Sequence, residues 1–158
     1  MKLKVITSNP GKVAEFQEMF EDLGIEMEHA KIPYDEVQTS ELEEVVRKGM
    51  DALRATGLKD FIIDDSGMFV DALKGFPGVY SAYVQKTIGN DGVLTLMEGI
   101  DDRKAVFKCC IGCNVIHGNI ALFQVLHDFI VDFALLLFCD LFQTYQKMGF
   151  KYAETNAN

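Results

Sequence analysis

Two short segments hold the residue types on which chemistry could rest. In Thr7-Ser8-Asn9-Pro10-Gly11-Lys12, hydroxyls, an amide and one ammonium crowd together just after the mainly apolar Leu3-Lys4-Val5-Ile6. Ser8 or Asn9 can cap a helix, and Pro10 suits its first position. A helix starting here offers backbone N–H groups and the positive end of its dipole, which suits a polyphosphate. An ordinary strand-turn-helix junction carries the same residues, so this segment alone does not decide.

The second segment is Asp64-Asp65-Ser66-Gly67, directly after Phe61-Ile62-Ile63. Two carboxylates side by side at the end of a buried strand repel each other unless a cation or proton is shared. Mg²⁺ is the natural cation, because it takes carboxylate and water oxygens and bridges them to substrate phosphates. A solvated turn is the competing reading, with Ser66 either closing an Asx-type turn or meeting a phosphate oxygen. Glu36, Glu43 and Glu44 could add carboxylates, though each by itself reads as a solvated surface charge.

The elements that must position these groups alternate. Residues 2–7 read as a strand. Val13, Phe16, Phe20 and Leu23 then fall at helical spacing, with Gly24 to end the helix. Ser40-Glu41-Leu42-Glu43 has the pattern of a capping box and opens a helix through Val46, Met50 and Leu53 to Gly57. Phe61–Ile63 is a buried strand that ends in the Asp64–Gly67 turn, and Met68–Leu73 is a further strand. Lys74–Gly78 is a loop, Tyr80–Lys86 a helix, and Asn90 or Asp91 caps a short helix through Leu94 and Met97. Arg103–Cys113, rich in Val, Phe, Cys and Ile, is a strand. Alternation of this kind predicts an α/β fold, a mixed sheet flanked by helices with a central cleft.

Composition narrows the partners. With 15 basic against 24 acidic residues in 158, the net charge of −9 speaks against a nucleic-acid backbone, which is bound through Lys and Arg. A small phosphate ligand needs only backbone N–H groups and a placed cation. No secretory leader is read at the N-terminus, so a cytoplasmic protein is expected. Cys109, Cys110 and Cys113 lie together and Cys139 apart, which fits free thiols near a buried strand rather than a disulfide framework or a zinc site.

Thr7-Ser8-Asn9-Pro10-Gly11-Lys12, Asp64-Asp65-Ser66-Gly67-Met68-Phe69-Val70-Asp71-Ala72-Leu73, Lys74-Gly75-Phe76-Pro77-Gly78-Val79-Tyr80-Ser81 and Phe107-Lys108-Cys109 occur in this order. Together they resemble the inosine/xanthosine triphosphate pyrophosphatase family, particularly its archaeal members, over residues 1–113. The resemblance implies a Mg²⁺-dependent homodimeric hydrolase. Its substrate would be a non-standard purine nucleoside triphosphate, cut between the α- and β-phosphates to cleanse the nucleotide pool. It implies that the Thr7–Lys12 segment, Pro10 and Gly11 included, holds phosphates and that Ser66 contacts substrate. Glu36, Asp64 and Asp65 would serve the metal, Asp65 would also be the proton acceptor that activates water, and Glu44 is a further metal candidate.

After Cys113 the resemblance stops, and residues 114–158 form a divergent tail rather than a second domain. Basic residues thin to Lys147 and Lys151, and six of the twelve phenylalanines fall here. The family's base-enclosing Gly-Phe-Gly-Tyr-Asp-Pro loop, its Thr-x-Ala-Glu segment and its Ser-His-Arg are not found. Gly149-Phe150-Lys151-Tyr152 matches the first of them only by chance. Ile120 to Phe142 is apolar, but Asp128, Asp132 and Asp140 would each cost about 2.5–3.5 kcal/mol at a bilayer centre, so no membrane span is expected. A helix with Asp128 and Asp132 on one face is expected instead, with His127 an ordinary surface histidine. A reading frame that leaves the family near residue 114 would explain the change. The alternative function is then an inactive member that keeps only nucleotide binding or dimerisation.

Overall fold

The computed structural model describes residues 2–22, 24–35 and 37–115, and the backbone of 129–132. Five strands and two helices build the part that matters for the site: β1 (Lys2–Ile6), α1 (Pro10–Asp22), β2 (Glu26–Ala30), α2 (Leu42–Ala55), β3 (Phe61–Val70), β4 (Pro77–Gly78) and β5 (Lys104–Asn114). Helices α3 (Ser81–Thr87) and α4 (Gly89–Leu96) lie between β4 and β5, and β6 (Phe129–Asp132) follows. The sheet order is β2-β1-β3-β5-β6, with β4 on β3. β1 is parallel to β2 and β3, while β4, β5 and β6 run antiparallel to their neighbours. This is the expected mixed α/β sheet flanked by helices.

The helices cover opposite faces because the apolar residues of the strands alternate. Phe16 and Phe20 of α1 pack with Leu3, Val5 and Ile62 on one face. On the other, Val46, Met50 and Leu53 of α2 pack with Ile6, Phe61 and Ile63. A third cluster, Val70, Val84, Val93, Met97 and Ala105, fills the far end beneath α3 and α4. Since α1 leads from β1 to β2 on one side and α2 returns to β3 on the other, the strand order reverses at β1. The carboxyl end of β1 beside β3 is therefore a topological switch point, where open α/β sheets bind ligands.

Several boundaries differ from expectation, each for a local reason. Asn9 does cap α1: its Oδ1 accepts the Gly11 N–H at 2.9 Å, with Pro10 as the first helical residue. Gly24, at φ +65°, closes that helix with the Gly24 N–H on the Glu21 carbonyl and the Ile25 N–H on that of Phe20. The capping box does not form. Glu41 takes the cap position without a side-chain bond, and Thr39 Oγ1 accepts the Glu41 N–H instead. Likewise Ile88, not Asn90 or Asp91, precedes α4, and no side chain caps it. β2 is a strand that was not anticipated, its short Glu-Met-Glu-His-Ala sequence being drawn into the sheet by parallel pairing with all of β1.

The largest correction concerns Asp64–Gly67. There is no turn: β3 runs unbroken from Phe61 to Val70, paired residue for residue with β5, and only then does Asp71–Leu73 form a 3-10 turn. Gly67 serves close approach rather than bending. A Cβ there would collide with the Gly78 carbonyl oxygen of β4 and lie 3.3 Å from Ser81 Oγ. Ser81 Oγ donates to the Gly78 carbonyl at 2.6 Å and accepts the Met68 N–H at 2.8 Å, pinning β4 and α3 to β3. The expected loop 74–78 accordingly contains β4. At the other end Phe129–Asp132 is a strand on β5 where a helix was expected; its Phe-Ile-Val run suits a sheet and covers an open strand edge. The rest of that helix, with His127 and Gly149–Tyr152, lies outside the described residues.

Gly67→Ala should destabilise the fold by about 1–3 kcal/mol, because backbone rather than a flexible side chain must yield. Urea unfolding should show a lower midpoint; an unchanged midpoint would contradict the close approach.

Candidate functional site

The switch point brings the two chemical segments together. β1 pairs with β3 at Lys4–Phe61 and Val5–Ile62, so the Thr7–Lys12 loop leaves β1 alongside Asp64 and Asp65. The loop is held from within and from β2. Thr7 Oγ1 accepts the Asn9 N–H at 3.2 Å. His29 Nε2 lies 2.9 Å from the Thr7 carbonyl, a bond that puts the proton on Nε2 because a carbonyl can only accept. Ser8 is exposed at the tip, and Gly11 is buried in the first turn.

Lys12 turns back from this first turn to the sheet. Its Nζ lies 2.7 Å from Asp64 Oδ2 and 3.4 Å from the Asp64 carbonyl oxygen. The side chains are 15% and 6% exposed, so the pair is largely withdrawn from water. Burial alone would lower the Lys12 pKa. The Asp64 charge and hydrogen bond, with help from Asp65, outweigh it and raise the value, keeping the ammonium charged. Glu15, one turn along α1, was not singled out in the sequence, although its i+3 spacing from Lys12 places it on the same helix flank. Burial, and then the Asp64 charge, push its pKa up.

Asp64 and Asp65 do not share one side of the strand. Successive strand residues face opposite ways. Asp64 joins Ile62 on the α1 face, where it acts with Lys12 and Glu15 on Cys109. Asp65 joins Ile63 and Cys110 on the α2 face, where Glu43 also acts on Cys110. The expected side-by-side pair is thus divided, and the Asp64 charge is met first by Lys12. Ser66, half-buried and opposite Cys109, returns to the Asp64 face.

The other acidic candidates separate as well. Glu44 Oε2 accepts from Thr39 Oγ1 at 2.7 Å and Glu44 Oε1 lies 3.9 Å from Arg47, a surface arrangement. Glu43 acts instead on Cys110, which stands opposite Asp65. Glu36 lies outside the described residues, among which no group of three His, Cys, Asp or Glu is arranged to hold a metal. The donors present nevertheless suit Mg²⁺. Asp64 Oδ1 is buried with no hydrogen-bond partner among the described residues. Mg²⁺ usually takes only one or two carboxylates, completing its shell with water and substrate phosphates.

Among the described residues Cys109, Cys110 and Cys113 are free thiols. Burial, then Asp64, pushes Cys109 from 9.0 up to about 12. Burial, then Glu43, pushes Cys110 up to about 11, and burial also raises Cys113. They line the strand behind the carboxylates as small apolar groups.

Two outcomes test this electrostatic arrangement. Lys12→Met and Asp64→Leu should each cost about 3–5 kcal/mol, whereas the double variant should recover most of the loss, since one partner alone leaves a buried charge. Additive losses in urea unfolding would count against the pair. For Cys109 the folded pKa lies above the unfolded one, so its stabilising contribution is complete below about pH 9 and is lost as the pH rises toward about 12. Alkylation at neutral pH, located by mass spectrometry, should modify Cys109 far more slowly in the folded chain than in urea.

Comparison with known proteins places this arrangement. A family model described as the Ham1 family matches residues 3–126, reaching beyond the point where the motif resemblance ends. The dITP/XTP pyrophosphatase of Thermococcus kodakarensis is 53% identical over 111 residues, 70% of this chain and 60% of that protein. That of Pyrococcus horikoshii is 51% identical over 112 residues, 71% and 60% of the two chains. The chain thus spans about 60% of the length of these curated relatives. Among solved structures, a HAM1 protein from Coxiella burnetii aligns with a TM-score of 0.67 at 26% identity, covering 84% of this chain and 72% of that one. A nucleoside-triphosphatase / dITP/XTP pyrophosphatase from Mycobacterium abscessus aligns at 0.59 and 27%, covering 82% and 72%. With the family model spanning most of its length, the chain belongs to the Ham1 family, the dITP/XTP pyrophosphatase family that its motifs resemble.

Proposed function

We propose that the chain is built for Mg²⁺-dependent hydrolysis of non-standard purine nucleoside triphosphates, ITP, dITP or XTP, to the monophosphate and pyrophosphate. The observation that carries this reading is the meeting of the capped Thr7–Lys12 loop with Asp64 and Asp65 at the switch point, in a chain 53% identical to a dITP/XTP pyrophosphatase.

The phosphates enter over the N-terminus of α1, where Thr7, Ser8 and the helix dipole favour an anion. Asn9 has one oxygen committed to the cap, so its part is to hold the loop open, with Pro10 and Gly11 shaping the first turn. Asp64 fixes the Lys12 ammonium beside the loop, where it balances charge gathering on the departing pyrophosphate. Asp65, on the other side of β3, takes the proton of the attacking water as its oxygen bonds to the α-phosphorus and the bond to the β-phosphate oxygen breaks. By the family resemblance Glu36, Asp64 and Asp65 would hold the metal, Asp64 through its unpaired Oδ1 and Asp65 from the other side of β3. When bound, Mg²⁺ supplies charge neutralisation on the phosphates and lowers the cost of deprotonating water. Ser66 contacts substrate from the Asp64 face. Assembly as a homodimer and a cytoplasmic setting belong to the same proposal. No helix among the described residues is long and apolar enough to cross a membrane.

Pyrophosphate release from ITP and XTP with Mg²⁺ is the test. Asp65→Asn should lower kcat by about 10²–10⁴-fold, the usual worth of a positioned general base, with little change in KM. Unaltered turnover in that variant would remove Asp65 from the role. Nucleotide binding without release in the parent chain would favour the inactive, binding-only alternative.

A further inference from the structure

The face that carries Asp65 also carries a cation with no role so far. In the β3–β5 pairing Asp65 stands opposite Cys110, and Gly67 opposite Lys108. Period two puts Lys108 on the same face as Cys110, which is buried among residues of α2 and β3. Lys108 is therefore the diagonal neighbour of Asp65. Such neighbours lie roughly 7–8 Å apart, a distance a long side chain can cover.

Its surroundings hold the ammonium without neutralising it. Lys108 Nζ lies 5.1 Å from the centroid of the Phe69 ring, the next residue of β3 on that face beyond Gly67. Gly67, opposite Lys108, carries no side chain, and the Gly78 carbonyl oxygen of β4 takes the place where one would stand. Among the described residues Lys108 makes no ion pair, and it is only partly exposed. The ring keeps a cation in place but brings no opposite charge. Lys12 is committed to Asp64, which holds it on the other face of the strand. A substrate oxyanion approaching Asp65 would meet the carboxylates of Asp65 and Glu43, and Lys108 is the lysine on the same strand face that can offset them.

We propose that Lys108 is a second phosphate-contacting residue, which binds a triphosphate oxygen on the Asp65 side of β3 while Lys12 serves the other side. The inference rests on reading the chain as a nucleoside triphosphate pyrophosphatase. Phe69 then acts as a positioning residue, its ring holding the ammonium in place.

The test uses the full chain with Lys108→Met and Lys108→Arg. Inorganic pyrophosphate binding is measured by calorimetry, and KM and kcat with ITP. Lys108→Met should weaken pyrophosphate binding and raise KM by about tenfold, the usual worth of a charged hydrogen bond. Lys108→Arg should restore most of both, and the urea midpoint should stay unchanged because the methionine keeps the aliphatic stem. If Lys108→Met and the parent bind pyrophosphate alike while the parent turns over ITP, the inference is wrong and the function stands. If the parent chain neither binds pyrophosphate nor releases it from ITP, both fail. A loss in Lys108→Met that arginine does not restore also overturns the inference, because charge would then not be its cause.

Discussion

The strict alternation of β3 is the constraint on which the rest of the molecule depends. Ten consecutive residues pair with β5 without a break, so every side chain from Phe61 to Val70 is committed to one face or the other. Ile62 and Ile63 anchor α1 and α2 on opposite sides. The same rule sends Asp64 toward α1 and Asp65 toward α2. One strand thereby builds two helix interfaces and divides two adjacent carboxylates between two tasks.

That division changes the physics of the acidic pair. Adjacent carboxylates on one side would demand a shared cation at once. On opposite faces each meets its own environment: Asp64 the buried ammonium of Lys12, Asp65 the neighbourhood of Glu43 and Cys110. Lys12 comes from the first turn of α1, so its bond to Asp64 also ties the loop that caps this helix to the centre of the sheet. The buried, protonated thiols behind them add volume without charge.

Much of this was legible in the residues alone. The α1 start was readable because Asn9 and Pro10 are local signals whose effect needs no partner. The stripe of α2 was readable because Val46, Met50 and Leu53 recur at helical spacing. β5 was readable from its Val, Phe, Cys and Ile. The family followed from motif order, and the relatives agree. The Asp64–Gly67 stretch was misread because Asp-Ser-Gly is locally indistinguishable from a turn. Ser40 and Glu43 had the right spacing for a cap, yet Thr39 reached the Glu41 N–H instead.

By itself, then, the sequence determined which groups the chain could bring to a site, where its main helices begin, and which family it joins. These depend on side-chain chemistry and on contacts a few residues apart. Only the tertiary structure decided how those groups are shared out. Gly67 became a place for β4 to pass because Gly78, eleven residues further along the chain, crosses it, which no local signal announces. Asp64 became the partner of Lys12, 52 residues earlier, because β1 and β3 lie side by side. A strand has two faces only once something packs on each, and the roles of Asp64, Asp65 and Lys108 divide along that line.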